Sequence, residues 1–178
     1  RMKVDGEVQS NTTIDGRGSG VILDGSGLTM HGRRNIIIAG LTITGCREDG
    51  IQVQQGTRGV YLTGLDLSAC SDELVAVTNS SSEVTLAHSV LHDNPKGILV
   101  GGADYLPGDV VQRVTVYDTI FRQVSYRHPM CRYGWVHLDR VTIDGWMGQA
   151  VDARFGCRVL ITRTWFIQPP GNKPRKAV

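Results

Sequence analysis

The feature that most constrains the fold of this chain is a short strand-like pattern that returns at a nearly constant spacing. Its members read NIIIAGLTIT from Asn35, GVYLTGLDLS from Gly59, EVTLAHSVLH from Glu83, RVTVYDTIFR from Arg113, WVHLDRVTID from Trp135 and RVLITRTWFI from Arg158. The starts are 24, 24, 30, 22 and 23 residues apart, so the segment GGADYLPGDVVQ is a single insertion in a regular repeat. A repeat of this length indicates structural units that stack on their neighbours.

Within each unit, apolar residues alternate with other residues, and Val, Ile and Thr are frequent, as is typical of β-strands. No segment keeps a helical spacing of apolar residues. Strands of this kind, separated by turns rich in Gly, Asn, Ser and Asp, can bury their apolar side by coiling into a parallel β-helix. Counting an opening coil around NTTIDG and GVILDG, we expect about seven coils. An antiparallel sandwich would also contain many short strands, but it does not explain the constant spacing.

Length and composition favour one domain with one continuous core. The chain has 178 residues, of which 40% are hydrophobic and 20% charged. A formal net charge of +2 is too small for a general nucleic-acid surface, and no apolar stretch is long enough to span a membrane. The start RMKVDGEVQS contains no signal-peptide core, although a signal could have been removed. We expect a β-helix domain over 1–167 and a flexible tail over 168–178.

A second strand follows each repeat start after 13 or 14 residues, and it places charged residues in one predicted column. The column reads Asp49, Asp72, Lys96, Arg127 and Gln149, with neighbouring coils about 4.8 Å apart. One interpretation is that these polar residues only cap the beginnings of strands. Two aspartates followed by two cations favour a second interpretation, a bound hard cation such as Ca²⁺ beside a site for a polymer that carries carboxylates.

The order of several motifs resembles the pectate lyase family of secreted polysaccharide lyases. The most specific of them is R-x-P-x-x-R, formed by Arg127, Pro129 and Arg132 and followed by GWVH, together with Lys96 before GILVG. The resemblance runs from about residue 11 to residue 166, whereas family members are usually longer. It implies a right-handed parallel β-helix, an extracellular location and polygalacturonate as the partner, and we expect a monomer.

The resemblance also implies a role for each residue that matches the family's motifs. Arg127 falls on the base that removes the C5 proton of a galacturonosyl unit. Lys96 and Arg132 fall on cations that hold substrate carboxylates, with Lys96 also part of the catalytic group. Asp49 and Asp72 fall on Ca²⁺ ligands. The implied reaction is β-elimination, in which metal and cations stabilise an enolate-like intermediate and a 4,5-unsaturated sugar is released.

The chain departs from the family pattern at the metal site. Ala76 stands where the family usually has a third Ca²⁺ carboxylate, and alanine cannot bind a metal. Glu73 or Glu48 could supply the missing ligand, although strand alternation predicts that each points away from the column. We therefore include Glu73 with Asp49 and Asp72 in the predicted Ca²⁺ site, with water and a substrate carboxylate completing it.

Related activities are distinguished by the residues that are present. Pectin lyases generally lack the Ca²⁺ carboxylates and the lysine, so Asp49, Asp72 and Lys96 favour unesterified polygalacturonate. Polygalacturonases hydrolyse with clustered aspartates, and this chain has neither an Asp-Asp pair nor a Gly-His-Gly segment. Two alternatives stay open: a lyase that acts on another uronate polymer, and a non-catalytic β-helix that binds an anionic polysaccharide.

The cysteines and two tyrosines give further expectations. Cys46 and Cys70 both lie 11 residues after their repeat starts, so they should stack as either a disulfide or a buried thiol pair. Cys131 and Cys157 lie at unequal offsets and could pair only across a loop. Tyr126 and Tyr133 flank the arginine motif and could stack on sugar rings. We expect His92 to be a turn residue or to form structural hydrogen bonds.

Overall fold

The computed structural model describes residues 6–168, which form one continuous stack of short strands. The predicted tail lies outside these residues, except for Gln168. The strands are β1 (Gly6–Glu7), β2 (Thr12–Asp15), β3 (Ile22–Asp24), β4 (Leu28–His31), β5 (Arg34–Ala39), β6 (Thr42–Thr44), β7 (Ile51–Gln54), β8 (Arg58–Thr63), β9 (Asp66–Ser68), β10 (Glu73–Val77), β11 (Ser82–Ala87), β12 (Val90–Val100), β13 (Arg113–Tyr117), β14 (Ile120–Tyr126), β15 (Met130–Arg132), β16 (Trp135–Asp139), β17 (Thr142–Asp144), β18 (Asp152–Arg154), β19 (Arg158–Thr162) and β20 (Trp165–Ile167).

All strand pairs described for residues 6–168 are parallel, and each joins equivalent strands of successive coils. The predicted right-handed parallel β-helix is confirmed, and the antiparallel sandwich is excluded. In the part of the chain that is described, the one helical element is a short 3-10 helix at Pro107–Val111. No helix there has both the length and the hydropathy that a membrane span needs.

The coil has three faces. Face 1 contains β1, β4, β7, β10, the end of β12, β15 and β18; face 2 contains β2, β5, β8, β11, β13, β16 and β19; face 3 contains β3, β6, β9, the start of β12, the start of β14, β17 and β20. The long strand β12 belongs to two faces. Its first residues pair with β9 on face 3, and its last residues pair with β10 on face 1. The seven strands of face 2 correspond to the seven coils that the repeat predicts.

Face 2 reproduces the predicted register. Ile36 pairs with Val60, Val60 with Val84, and Val84 with Val114. Thr12 precedes Ile36 in this column, and the last two coils continue it with Val136 and Val159. These residues point inward, and the core that they share with the other faces contains fully buried Leu67 and Phe121. Burial of each such side chain contributes about 1.5–3 kcal/mol to the stability of the fold, so every coil adds to it.

The insertion predicted from the 30-residue spacing folds against the side of face 1. Asp109, in the 3-10 helix, is 1% exposed and accepts hydrogen bonds from the backbone N–H groups of Ser80 (2.6 Å) and Gly102 (2.8 Å). The Gln112 amide donates to the Val77 carbonyl at 3.1 Å. A buried carboxylate therefore attaches the insertion to the preceding coil.

Both cysteine pairs form disulfides. Cys46 and Cys70 lie on neighbouring coils with a Cα–Cα distance of 4.2 Å, so the disulfide, rather than a thiol pair, is the observed state. Cys131 in β15 is linked to Cys157 in the turn before β19, with a Cα–Cα distance of 5.9 Å. The two bonds tie coils together at two separate levels of the helix.

Candidate functional site

Three acidic and two basic side chains converge at the edge of face 1. Asp49 and Asp72 lie in the turns that precede β7 and β10, and Glu73 is the first residue of β10. Lys96 lies in β12, and Arg127 immediately follows β14. All five were singled out in the sequence, and the parallel stacking of coils brings them together.

The predicted column is wrong by one residue at two of its positions. Lys96 pairs with Glu73 on one side and with Tyr126 on the other, not with Asp72 and Arg127. Equal offsets from the repeat start do not give equal register on face 1, because the turns between the faces differ in length by one residue. The Asp72 and Arg127 side chains still reach the group, because Asp72 pairs with Lys96 on the next coil and Arg127 pairs with Glu73 two coils away.

The three carboxylates form a compact acidic cluster. Asp49, Asp72 and Glu73 each offer an oxygen, and these oxygens lie within 4.8 Å of one another. Asp49 is oriented by hydrogen bonds from the Gln52 side chain and the Glu73 backbone N–H, both 2.8 Å long. The expectation that Glu73 points away from the site is wrong, because its side chain is buried within the cluster. Glu48 is exposed and does not belong to the cluster.

Each cation is paired with one of the acids. Lys96 forms an ion pair with Asp72, and Arg127 forms one with buried Glu73. Among residues 6–168, Asp49 has no such partner. Burial is the main cause that raises the pKa of Asp49 to about 6, and the charge of Asp72 raises it further against the hydrogen bond from Gln52. The cluster thus contains one carboxyl group that resists ionisation in the absence of an added positive charge.

Arg127 occupies a distinctive local environment. Burial lowers the pKa of its guanidinium group below the ordinary value, and the charge of Arg132 lowers it further. Its backbone has a φ of 66° and its carbonyl accepts a hydrogen bond from the Ile98 N–H at 2.7 Å. A Cβ on Gly97 would lie 2.4 Å from that carbonyl oxygen, so the glycine after Lys96 permits the Arg127 backbone to approach.

Asn94 holds the backbone beneath the site, and the sequence analysis did not identify it. The side chain is 3% exposed and lies in β12. Its oxygen accepts from the Cys70 N–H at 2.7 Å, while its amide donates to the carbonyls of Asp72 (2.8 Å) and Lys96 (2.7 Å). One buried amide therefore fixes the backbone of Asp72, in the turn before β10, and that of its cationic partner Lys96 in β12.

Ala76 lies beside the acidic cluster in an apolar environment. It is 4% exposed and forms a small buried group with Leu99 and Met130, which follow it in register on the next coils. No ligand comes from this position. The third carboxylate of the cluster comes instead from Glu73, three residues earlier in the same strand.

A pocket of about 230 Å³ opens next to Arg127. It is lined by Lys96, Tyr126, Arg127, Met130, Gln149, Asp152 and Arg154. Arg154 was missed in the sequence, although it follows Arg132 by 22 residues, the same spacing as that between the repeat starts Arg113 and Trp135. The structure pairs Arg132 with Arg154 in register, so a third arginine extends the basic edge of the groove.

The remaining sequence candidates take structural positions. The Arg132 guanidinium donates to Asp104 at 2.6 Å and to the Gly101 carbonyl at 3.1 Å, which places it against the insertion. Tyr133 donates its hydroxyl to the Asp104 carbonyl and packs against Phe155. His92 hydrogen-bonds Asp93 (2.7 Å) and Asp66 (3.0 Å), in agreement with the structural role that was predicted.

Comparison with known proteins identifies sequence relatives. The family model described as pectate lyase matches residues 62–176. "Probable pectate lyase 4" of Arabidopsis thaliana is 30% identical over 171 residues, which cover 91% of this chain and 46% of the relative. "Probable pectate lyase A" of Aspergillus fumigatus is 29% identical over 173 residues, covering 90% and 53% respectively. The chain thus spans about half the length of the curated relatives it matches.

Solved structures share the fold at lower identity. The major allergen from cedar pollen matches with a TM-score of 0.77 and 22% identity, covering 97% of this chain and 67% of that one. A variant pectate lyase from Xanthomonas campestris matches with a TM-score of 0.79 and 17% identity, covering 94% and 66%. A pectate lyase from Bacillus sp. N165, in complex with trigalacturonate, gives 0.76 and 19%, covering 97% and 68%.

Proposed function

The chain belongs to the pectate lyase family, and we propose that it cleaves unesterified polygalacturonate by β-elimination in the groove of face 1. The observation that carries this proposal is the convergence of Lys96 and Arg127 with three carboxylates whose oxygens lie within 4.8 Å of one another. A polymer of uronates offers a carboxylate on every sugar. A groove that combines cations with an acidic cluster suits such a polymer better than it suits a neutral chain.

In this proposal Arg127 removes the C5 proton. The C5–H electron pair forms the C4–C5 double bond, the C4–O bond breaks, and the departing oxygen takes a proton from water. The hydroxide that remains takes the proton from Arg127, which restores the base. A guanidinium group is ordinarily a poor base because it retains its proton. Burial and the charge of Arg132, which lower the pKa of Arg127, both favour its neutral form. Arg127 must also leave Glu73, its present ionic partner, before it can face the substrate.

The other cations are assigned to the substrate carboxylates. Lys96 lies beside Arg127 in the pocket and binds the carboxylate of the reacting sugar, which favours charge development at C5. Arg132 and Arg154 lie in register at the next edge of the groove, and they hold the carboxylate of a neighbouring sugar. Asp104 and Asp152, which pair with these arginines, keep the guanidinium groups in place until substrate binds.

The acidic cluster fits a hard divalent cation, and we assign Ca²⁺ to it. Asp49, Asp72 and Glu73 supply oxygen donors at a suitable mutual distance. Burial, and then the charge of Asp72, raise the pKa of Asp49, and a bound cation would favour its ionised form. When bound, Ca²⁺ would draw charge from a substrate carboxylate and so acidify the C5 proton. The two disulfides support the further proposal that the protein works outside the cell.

The test is an assay on polygalacturonate that follows the ultraviolet absorbance of the unsaturated product. Wild-type protein with Ca²⁺ should form the product, and a chelator should stop it. Arg127→Ala should abolish turnover while circular dichroism and thermal unfolding still report a folded β-helix. In calorimetry, Asp49→Asn should weaken Ca²⁺ binding at least tenfold, since it removes one of three charged ligands.

Asp144→Asn is the matched control for this assay, because Asp144 lies on face 3, away from the groove. It should retain wild-type turnover and Ca²⁺ binding. Absence of product at any alkaline pH with Ca²⁺ present would contradict the lyase proposal. Polymer binding without product would favour the non-catalytic alternative, for which the apolar surroundings of Ala76 are the supporting observation.

A further inference from the structure

Tyr126 has an exposed ring at the wall of the pocket beside Arg127. The residue is 46% exposed, although it is the last residue of a strand in the middle of the stack. Its Cα pairs with that of Lys96, and both residues line the same 230 Å³ pocket. Its hydroxyl group makes no hydrogen bond within residues 6–168 that would explain the position of the ring.

The ring packs against Gly148 on the next coil. A Cβ built on Gly148 would lie 2.1 Å from Cε1 and 2.3 Å from Cδ1 of Tyr126, so the ring packs directly against this glycine. The Gly148 backbone is itself held in place, because the N–H groups of Met147 (3.0 Å) and Gly148 (3.2 Å) both donate to the Ser125 carbonyl. Only a residue without a side chain leaves room for the ring at this place.

The surroundings of the ring match the chemistry of a uronate sugar. A pyranose ring presents apolar C–H groups on its faces and, in a uronate, a carboxylate at its edge. An aromatic wall next to cations can contact both parts at once, and tyrosine gives a large contact area at a small entropy cost. Lys96 and Arg127 supply the cations, and the ring supplies the apolar surface.

We propose that Tyr126 is a specificity-determining residue that stacks on the uronate ring whose carboxylate reaches Lys96 and Arg127. This inference rests on the proposed polygalacturonate substrate and adds to it a contact with the sugar ring itself. Gly148 acts as a positioning residue, because it determines where the Tyr126 ring lies. Binding then depends on the shape of the sugar as well as on its charge.

The experiment is a double-mutant cycle between Tyr126 and Gly148. We measure KM and kcat on polygalacturonate, and the Kd for trigalacturonate by calorimetry in the presence of chelator. Tyr126→Ala should raise KM and Kd about tenfold and change kcat less than about twofold, since the ring stabilises bound sugar rather than the reaction step. The tenfold change should be the same at low and high salt, because stacking is not screened.

The other variants separate stacking from general packing. Tyr126→Phe should behave like the wild type, whereas Gly148→Ala should raise KM by displacing the ring. Gly148→Ala should have no further effect in the Tyr126→Ala background. Tyr61→Ala is the matched control, since Tyr61 is 40% exposed on face 2, and it should change neither KM nor Kd. Thermal unfolding of each variant verifies that it is folded.

Two results would overturn the inference while leaving the proposed function intact. One is a Tyr126→Ala protein with wild-type KM and Kd, and the other is a Gly148→Ala effect that persists in full without Tyr126. A wild-type protein that neither cleaves polygalacturonate nor binds trigalacturonate would instead overturn the proposed function, and this inference with it.

Discussion

Arg127 and Glu73 illustrate how one ion pair can belong to two proposed sites. The proposed base is held by a buried carboxylate of the proposed metal cluster, so the basic and acidic halves of the groove are electrostatically linked. The sequence identified both residues, but it predicted the wrong direction for Glu73. The direction was wrong because Glu73, not Asp72, pairs in register with Lys96, so Glu73 itself takes the column position.

A pH-dependent prediction concerns His92. Burial alone would lower the pKa of His92, but hydrogen bonds to Asp93 and Asp66 outweigh it and raise the pKa above the ordinary value. A raised folded-state pKa stabilises the protein fully below the unfolded value of 6.5, and the stabilisation disappears as the pH rises through the folded value. His92→Gln should therefore lower the free energy of unfolding by about 1 kcal/mol near pH 5 and by less near pH 8.5.

Urea unfolding at the two pH values measures this difference. His137→Gln is the control, because His137 contacts the Thr162 hydroxyl instead of a carboxylate. A His92→Gln cost that is equal at both pH values, or larger at the alkaline one, would refute the ionic role of His92.

At the scale of strands, the register of face 2 could be predicted from the sequence, whereas that of face 1 could not be predicted fully. Face 2 follows the repeat without error, because each of its strands starts the pattern and buries alternate residues. Face 1 follows a turn whose length varies from coil to coil. The register predicted for this face was therefore wrong by one residue at Asp72 and at Arg127. Arg154 could have been found by extending the coil spacing from Arg132. Asn94 could not, since a single buried amide that joins a turn to a strand has no periodic signal.

The insertion between β12 and β13 gives a stability prediction. Its presence followed from the 30-residue spacing, whereas its attachment through Asp109 depends on two backbone hydrogen bonds across chain turns. Asp109→Ala removes both acceptors and leaves two partly buried N–H donors unpaired, so the free energy of unfolding should fall by about 3 kcal/mol. Chemical denaturation measures the loss.

Asp118→Ala is the matched control for the insertion, because Asp118 is partly exposed and its ion-pair partners among residues 6–168, His88 and Arg140, are exposed. Its cost should be at most about 1 kcal/mol. An Asp109→Ala protein that is no less stable than Asp118→Ala would show that other contacts hold the insertion in place.

For the molecule as a whole, the fold was more predictable than the site. Every coil repeats the same alternation of apolar and polar residues, so a wrong assignment in one coil does not change the predicted architecture. The site depends on single side chains at the corner of face 1, where one residue of slip changes every neighbour. The parts of the site nevertheless lie along one side, because parallel coils carry the acidic cluster, the Arg127 pocket and the Arg132–Arg154 pair on face 1.

The central claim is that this groove cleaves polygalacturonate by elimination, and the mass of the products tests it most directly. Elimination adds no water, so mass spectrometry of oligogalacturonides formed with Ca²⁺ should reveal new non-reducing ends that are lighter by one water than saturated ones. Products with only saturated ends, or intact polymer, would contradict the account.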